Sequence, residues 1–282
     1  MALCCFPLLS IVAATGSISR PLILAAIVLI PVSCIPAIIR QDRGEFNKRD
    51  EALTLPWVIS LVLLIPAIVG IFAKLRLPLR DDSLKQWDRG LGLSVPAIVS
   101  WCAAHPTLNS ILNHSYNLLF LLLPLAVILP AIIGAKKTAQ RFLLSNTIAF
   151  IVSVPIFTML PAVGPWYGYH FAGSTSQNAV QASILALHSG STEGAIGIVC
   201  FPSFHVIWAL LSAVALWDIK PIRYPSAILA ALIIISTVTT GWHYVCDVFG
   251  GLAISALSTY CAVAVCSAGA KNPAFVPMRE GI

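Results

Sequence analysis

Long apolar runs separated by short polar connections set the pattern of this chain. After a first run at Leu3–Ala14, apolar stretches cover Pro21–Ile39, Leu55–Ala73, Ser115–Gly134, Phe142–Val163, Phe201–Trp217, Tyr224–Thr240 and Val245–Cys266. A helix needs about 20 apolar residues to cross a ~30 Å hydrocarbon core, and these runs approach or reach that length. They predict an all-α fold, a polytopic transmembrane helix bundle of about seven spans. Leu3–Ala14 has no charged segment before it and no small-residue cleavage site after it, so it reads as a short helix rather than a cleaved leader. Pro31, Pro36, Pro66, Pro124, Pro130 and Pro155 fall inside the runs. Membrane helices tolerate them, because neighbouring groups re-satisfy the freed carbonyls, and they predict kinks.

The connections carry the charge. Lys136, Lys137 and Arg141 lie between two runs, Lys220 and Arg223 between a later pair, and Lys271 and Arg279 after the last. In short loops such residues mark the cytoplasmic side. The stretch from Gly164 to Cys200 and the turn from Gly241 to Val245 hold neither Lys nor Arg, which assigns both to the opposite face. Arg40, Arg43, Lys48 and Arg49 mark another cytoplasmic loop, so residues 75–113 belong outside although Arg76, Arg80, Lys85 and Arg89 lie there. Asp81, Asp82 and Asp88 offset these charges, and an amphipathic interfacial helix fits the segment. The chain therefore divides into N-terminal membrane helices (1–74), an outer-face amphipathic segment (75–113), a helix bundle expected to carry the chemistry (114–270) and a cytoplasmic tail (271–282).

Composition narrows the function. Charged residues make up 10% of the chain, hydrophobic residues 58%, and the mean hydropathy is +0.90. Soluble domains carry roughly 25% charged residues, so a soluble enzyme is excluded. The net charge of +6 resides in loops where membrane topology accounts for it, and nucleic acid is not an expected partner. The eight cysteines form no C-x-x-C pair, and Cys34, Cys261 and Cys266 sit within apolar runs as small hydrophobes.

Two polar clusters interrupt the apolar pattern. In Phe201-Pro202-Ser203-Phe204-His205, Pro202 suits a first helical turn and Ser203 a cap. The free N–H groups of such a turn and the helix dipole make an anion site, with His205 placed to give a proton to whatever binds. In the run from Ser236 to Asp247, a helix beginning near Gly241 would set Asp247 on the same face as His243. A carboxylate holding one ring nitrogen leaves the other free to attack. A plain capped helix and a plain buried His–Asp hydrogen bond are the bland alternatives. The charge pattern brings all three groups to one membrane level.

These residues resemble the motifs of the type 2 phosphatidic acid phosphatase (PAP2) superfamily. Its second motif, P-S-x-H, is matched by Pro202, Ser203 and His205, and its third, S-R-x5-H-x3-D, by Ser236, His243 and Asp247, with Thr237 where most members have Arg. Thr at that position, together with the flanks Asp88-Arg89-Gly90-Leu91-Gly92 and Leu160-Pro161-Ala162-Val163-Gly164-Pro165, resembles the branch containing inositol phosphorylceramide synthases. The first motif, K-x6-R-P, has no match. The resemblance implies a six-helix core in which His243 attacks phosphorus, Asp247 orients it and His205 serves as general acid. Ser203, Phe204, Ser236 and Thr237 would hold the phosphoryl oxygens, and Arg89 is the candidate for the cation that the absent motif would have supplied. It implies no metal and no other cofactor.

The expected activity is that of a lipid-phosphate phosphatase at the non-cytoplasmic face, with a lipid phosphate as substrate and membrane lipids as surroundings. Transfer of a phospho-headgroup to a lipid alcohol is the alternative, and Tyr167, Tyr169, His170, His188 and Glu193 are candidates for an acceptor site. A transporter using intramembrane His and Asp, an inactive scaffold, and a metal centre built from His205, His243 and Asp247 are further alternatives. The flanks suggest a bacterial inner membrane with the site facing the periplasm.

Overall fold

A computed structural model describes residues 77–189 and 200–270 of the chain. The expected spans Leu3–Ala14, Pro21–Ile39 and Leu55–Ala73, the cytoplasmic tail and Glu193 lie outside the described residues. Among the described residues all regular structure is helical: α1 (Asp81–Gly90), α2 (Val95–Ala103), α3 (Pro106–Asn117), α4 (Leu119–Ile132), α5 (Lys136–Met159), the single turn α6 (Pro165–Gly168), α7 (Thr175–Ser189), α8 (Phe204–Leu216), α9 (Arg223–Thr239) and α10 (Val245–Ala270).

Lys137–Met159 and Val245–Ser267 are each long and apolar enough to cross a membrane. The expected single span Ser115–Gly134 is not one continuous helix: Pro106–Asn117 and Leu119–Pro130 meet at 44°. Polar side chains concentrated before the break give the physical reason. Ser115 Oγ donates to the Ile111 carbonyl and Asn117 Nδ2 to the Asn113 carbonyl. Such back-bonding competes with the helix ladder and bends it. Helices α8 and α9 coincide with the last two shorter apolar runs; the 13 residues of α8 span only ~20 Å.

Helix α8 is the hub, packed against α4, α5, α9 and α10, while α5 also lies along α10. Leu119, Leu123, Phe142, Phe150, Ile207 and Ile233 are among the buried side chains that tie α4, α5, α8 and α9 into one core. Outward-facing Ile132, Met159, Ile228, Phe249 and Tyr260 are exposed, as a lipid-facing surface requires. Helix α1 lies at one end of the bundle, with Asp81, Leu84 and Asp88 buried along one face and contacts to α6 and α10.

Candidate active site

His243 lies in the turn between α9 and α10 rather than within a helix starting near Gly241. The turn closes α9: Gly241 takes φ +75°, and the Thr237 carbonyl accepts the N–H groups of both Trp242 (3.1 Å) and His243 (2.9 Å). Helix α10 then starts at Val245, and Asp247 in its first turn reaches back to the N–H of Tyr244 at 2.9 Å, the reciprocal half of a capping box. The same oxygen, Oδ2, stands 3.2 Å from His243 Nδ1. Nδ1 is also 3.1 Å from the carbonyl oxygen of Cys200. A carbonyl only accepts, so Nδ1 carries the ring proton and, in the neutral imidazole, the lone pair resides on Nε2. His243 Nε2 is buried and has no hydrogen-bond partner among the described residues.

Two further bonds hold Asp247, one to its carboxylate and one to its backbone carbonyl. The Cys200 thiol donates to Asp247 Oδ2 at 3.1 Å, and the backbone N–H of Ser203 donates to the Asp247 carbonyl at 3.1 Å. The second bond ties α10 to the start of α8, where Ser203 is the N-cap and its hydroxyl accepts the Val206 N–H. The helices approach closely there. A Cβ added to Gly251 would stand 2.9 Å from the Ser203 carbonyl oxygen and 2.8 Å from Val206 Cβ, so only glycine fits.

His205, in the first turn of α8, brings its ring centroid to 5.8 Å from that of His243. Its residue surface is partly exposed, yet its Nε2 is buried and unpartnered among the described residues. Tyr116 stacks on the ring at 4.2 Å and 17°, Phe120 stands perpendicular to it at 6.3 Å, and Trp242 stacks with Tyr116 at 6.1 Å.

Helix α1 buttresses the site with two acids whose contribution the sequence reading did not assign. Asp88 accepts the N–H groups of Val245 (3.0 Å) and Cys246 (2.8 Å), the first two of α10. Asp81 accepts those of Val163 and Gly164 and the hydroxyl of Tyr244. Burial pushes the Asp81 carboxyl above its ordinary range against the pull of these donors. The partners lie some 80 and 160 positions away in sequence, so only the fold reveals them.

The remaining candidates fall elsewhere. Ser236 and Thr237 are buried, but their hydroxyls donate to the carbonyls of Ile233 (2.6 Å) and Ile234 (2.7 Å) on their own helix. Phe204 packs its ring in the core, leaving its backbone N–H at the start of α8. Arg89 is exposed in the last turn of α1. It acts on Tyr169, whose hydroxyl burial pushes up to about 12. Among the described residues, no Lys or Arg hydrogen-bonds to His205, His243 or Asp247. Tyr167 and His170 line an open depression of ≈ 420 Å³ together with Trp166, Phe171, Asn178 and Gln181. The ligating atoms of Cys200, His243 and Asp247 lie within 4.8 Å of one another, but the thiol and Nδ1 protons already join them to the carboxylate, and a metal would have to displace both. His205 is not part of that set.

An all-helical integral membrane protein, with two histidines and a carboxylate gathered where two helices begin, defines the class. The PAP2 superfamily profile matches residues 82–261, more than half of the chain, and the protein belongs to that superfamily. Searches of curated proteins and of solved structures returned no match.

Proposed function

We propose that the protein removes phosphate from a membrane lipid through a phosphohistidine on His243, at the non-cytoplasmic face. One observation carries this reading: His243 Nδ1 is held by Asp247 and the Cys200 carbonyl, leaving a buried, unpartnered Nε2 in a ring whose centroid is 5.8 Å from that of His205, whose own Nε2 is also buried and unpartnered among the described residues. Nε2 of His243 attacks phosphorus, and the positive charge that develops on the ring is shared with Asp247 through Nδ1–H. His205 Nε2 protonates the leaving oxygen and afterwards takes the proton of water. The N–H groups at the start of α8, with the Ser203 hydroxyl, receive the phosphoryl oxygens. Arg89, exposed in the last turn of α1, is the proposed cation for the phosphoryl group. The orientation follows the charge pattern placed on the helices: Lys137 begins the span that ends beside the site, and Lys220 and Arg223 follow the far end of α8. A bacterial inner membrane, with the site toward the periplasm, fits this reading.

Transfer to an alcohol is the second reading, favoured by the covering of both Nε2 atoms, since a site that excludes water spares a phosphoenzyme from hydrolysis. The test is phosphate release from phosphatidic acid and from polyprenyl diphosphate by detergent-purified protein without added metal, wild type beside His243→Ala. Release confined to the wild type supports hydrolysis. Equal release from both removes His243 from the mechanism, and release from neither, with new phospholipid formed when a lipid alcohol is added, supports transfer.

A further inference from the structure

The aromatic group over His205 has no part in the chemistry described so far, and its placement is specific. Tyr116 and Phe120 stand on either side of the break at which α3 and α4 meet at 44°, and both contact the His205 ring. A straight helix would carry residues four apart along one line of its surface; the bend instead lets one ring lie flat on the imidazole while the other stands perpendicular to it. Trp242, next in sequence to His243, also lies nearly parallel to Tyr116, at 6.1 Å and 11°, and is met in turn by Trp166 at 5.4 Å. An aromatic layer thus runs from His205 to the loop side of the site.

The manner of the Tyr116 contact decides what it does. Its hydroxyl oxygen is 3.4 Å from His205 Nδ1, but the two rings are only 17° from parallel. A stacked hydroxyl lies over the imidazole face, away from the ring plane in which Nδ1 makes its hydrogen bonds, so the contact is a cover before it is a hydrogen bond. Phe120 is 58% exposed and stands perpendicular to the imidazole at 6.3 Å, which leaves Tyr116 as the principal shield.

We propose that Tyr116 is a specificity-determining residue that biases the choice of acceptor: by covering His205, the group that takes the acceptor proton, it slows the reaction of water with the phosphorylated His243 and favours, where one is present, an alcohol that carries its own apolar body into the site. The inference rests on the phosphohistidine reading above. In the step concerned, the bond between His243 Nε2 and phosphorus breaks as the acceptor oxygen bonds to phosphorus, the electron pair returns to Nε2, and the acceptor proton passes to His205 Nε2. Water and an alcohol go through the same step, so the product ratio reports only which of them reaches the site.

The experiment supplies phosphatidic acid in mixed micelles together with 1-octanol and measures inorganic phosphate and octyl phosphate by phosphorus NMR. Wild type should give octyl phosphate in excess of its share of the acceptors present. Tyr116→Ala should shift the ratio toward inorganic phosphate by on the order of tenfold, while Tyr116→Phe, which keeps the flat ring, should hold the wild-type ratio. Tyr116→Leu, which keeps apolar bulk without a flat ring, should fall between them and serves if the alanine variant does not fold. An unchanged ratio in Tyr116→Ala, or in Tyr116→Leu where that is the variant that folds, overturns the inference, as does an equal shift in Tyr116→Phe, which would assign the effect to the hydroxyl. Histidine-dependent phosphate release with no acceptor preference in the wild type also overturns it while leaving the proposed function standing. Absence of any His243-dependent product fails the function itself and the inference with it.

Discussion

Two helices begin at this site, and their first turns are finished in opposite ways. At α10, protein carboxylates take the free N–H groups: Asp88 accepts those of Val245 and Cys246, and Asp247 accepts that of Tyr244. At α8 the cap is a single hydroxyl, Ser203, bonded to Val206, while Phe204 and His205 occupy the first two helical positions, whose N–H groups have no intrahelical acceptor. The dipole of each helix favours negative charge at its start. In α10 that preference is met by two acids, which hold His243 and Asp247 in place; in α8 no carboxylate among the described residues accepts a first-turn N–H. On the proposed reading, one end is built for rigidity and the other for an anionic guest.

That contrast can be broken from either end. The largest effect is expected at Asp247→Asn, which retains the side-chain shape but loses the charge that stabilises a cationic His243, and turnover should fall about 10²- to 10⁴-fold with the melting temperature nearly unchanged. Asp88→Ala strips two buried N–H groups of their acceptors at once. It should cost about 2–4 kcal/mol, read as a lowered melting temperature in detergent, and activity should fall with it as the turn carrying His243 loosens. At the other helix, Ser203→Ala removes only a cap worth about 1 kcal/mol. Its mark should be a lower rate out of proportion to that small loss of stability, and a stability loss as large as that of Asp88→Ala would erase the proposed distinction.

The smallest effect concerns Asp81. Burial raises its pKa, so the folded chain holds this proton more tightly than the unfolded chain. The stabilisation is therefore complete below the unfolded value of about 3.9 and is lost as pH rises through the folded value. Asp81→Asn keeps an acceptor for Val163 and Gly164 but cannot titrate. The stability of wild type relative to this variant should decline as pH is raised from about 4, and a flat difference would show that the donors, not burial, govern the group.

Much of this architecture was legible in the apolar runs, because a membrane helix announces itself by length and composition. The break near Leu118 was not, since it depends on side chains bonding to carbonyls one turn back, and a hydropathy pattern is blind to that choice. Within the site, residues close in sequence were readable: four positions separate His243 from Asp247, and Ser203 precedes an apolar helix. Groups joined only by the fold were not. Asp88 reaches Cys246 and Tyr116 reaches His205 across separations of 158 and 89 residues. The contribution of Cys200 is equally hidden, since half of it comes from a backbone carbonyl that any residue would supply.

The most direct test of the central claim is to trap the covalent intermediate. Protein incubated briefly with phosphatidic acid bearing radiolabelled phosphate, then quenched in alkali and digested, should yield a labelled peptide that is stable to base and labile to acid, with the label on His243. Label on another residue, or rapid turnover by protein that never acquires label, would contradict the account.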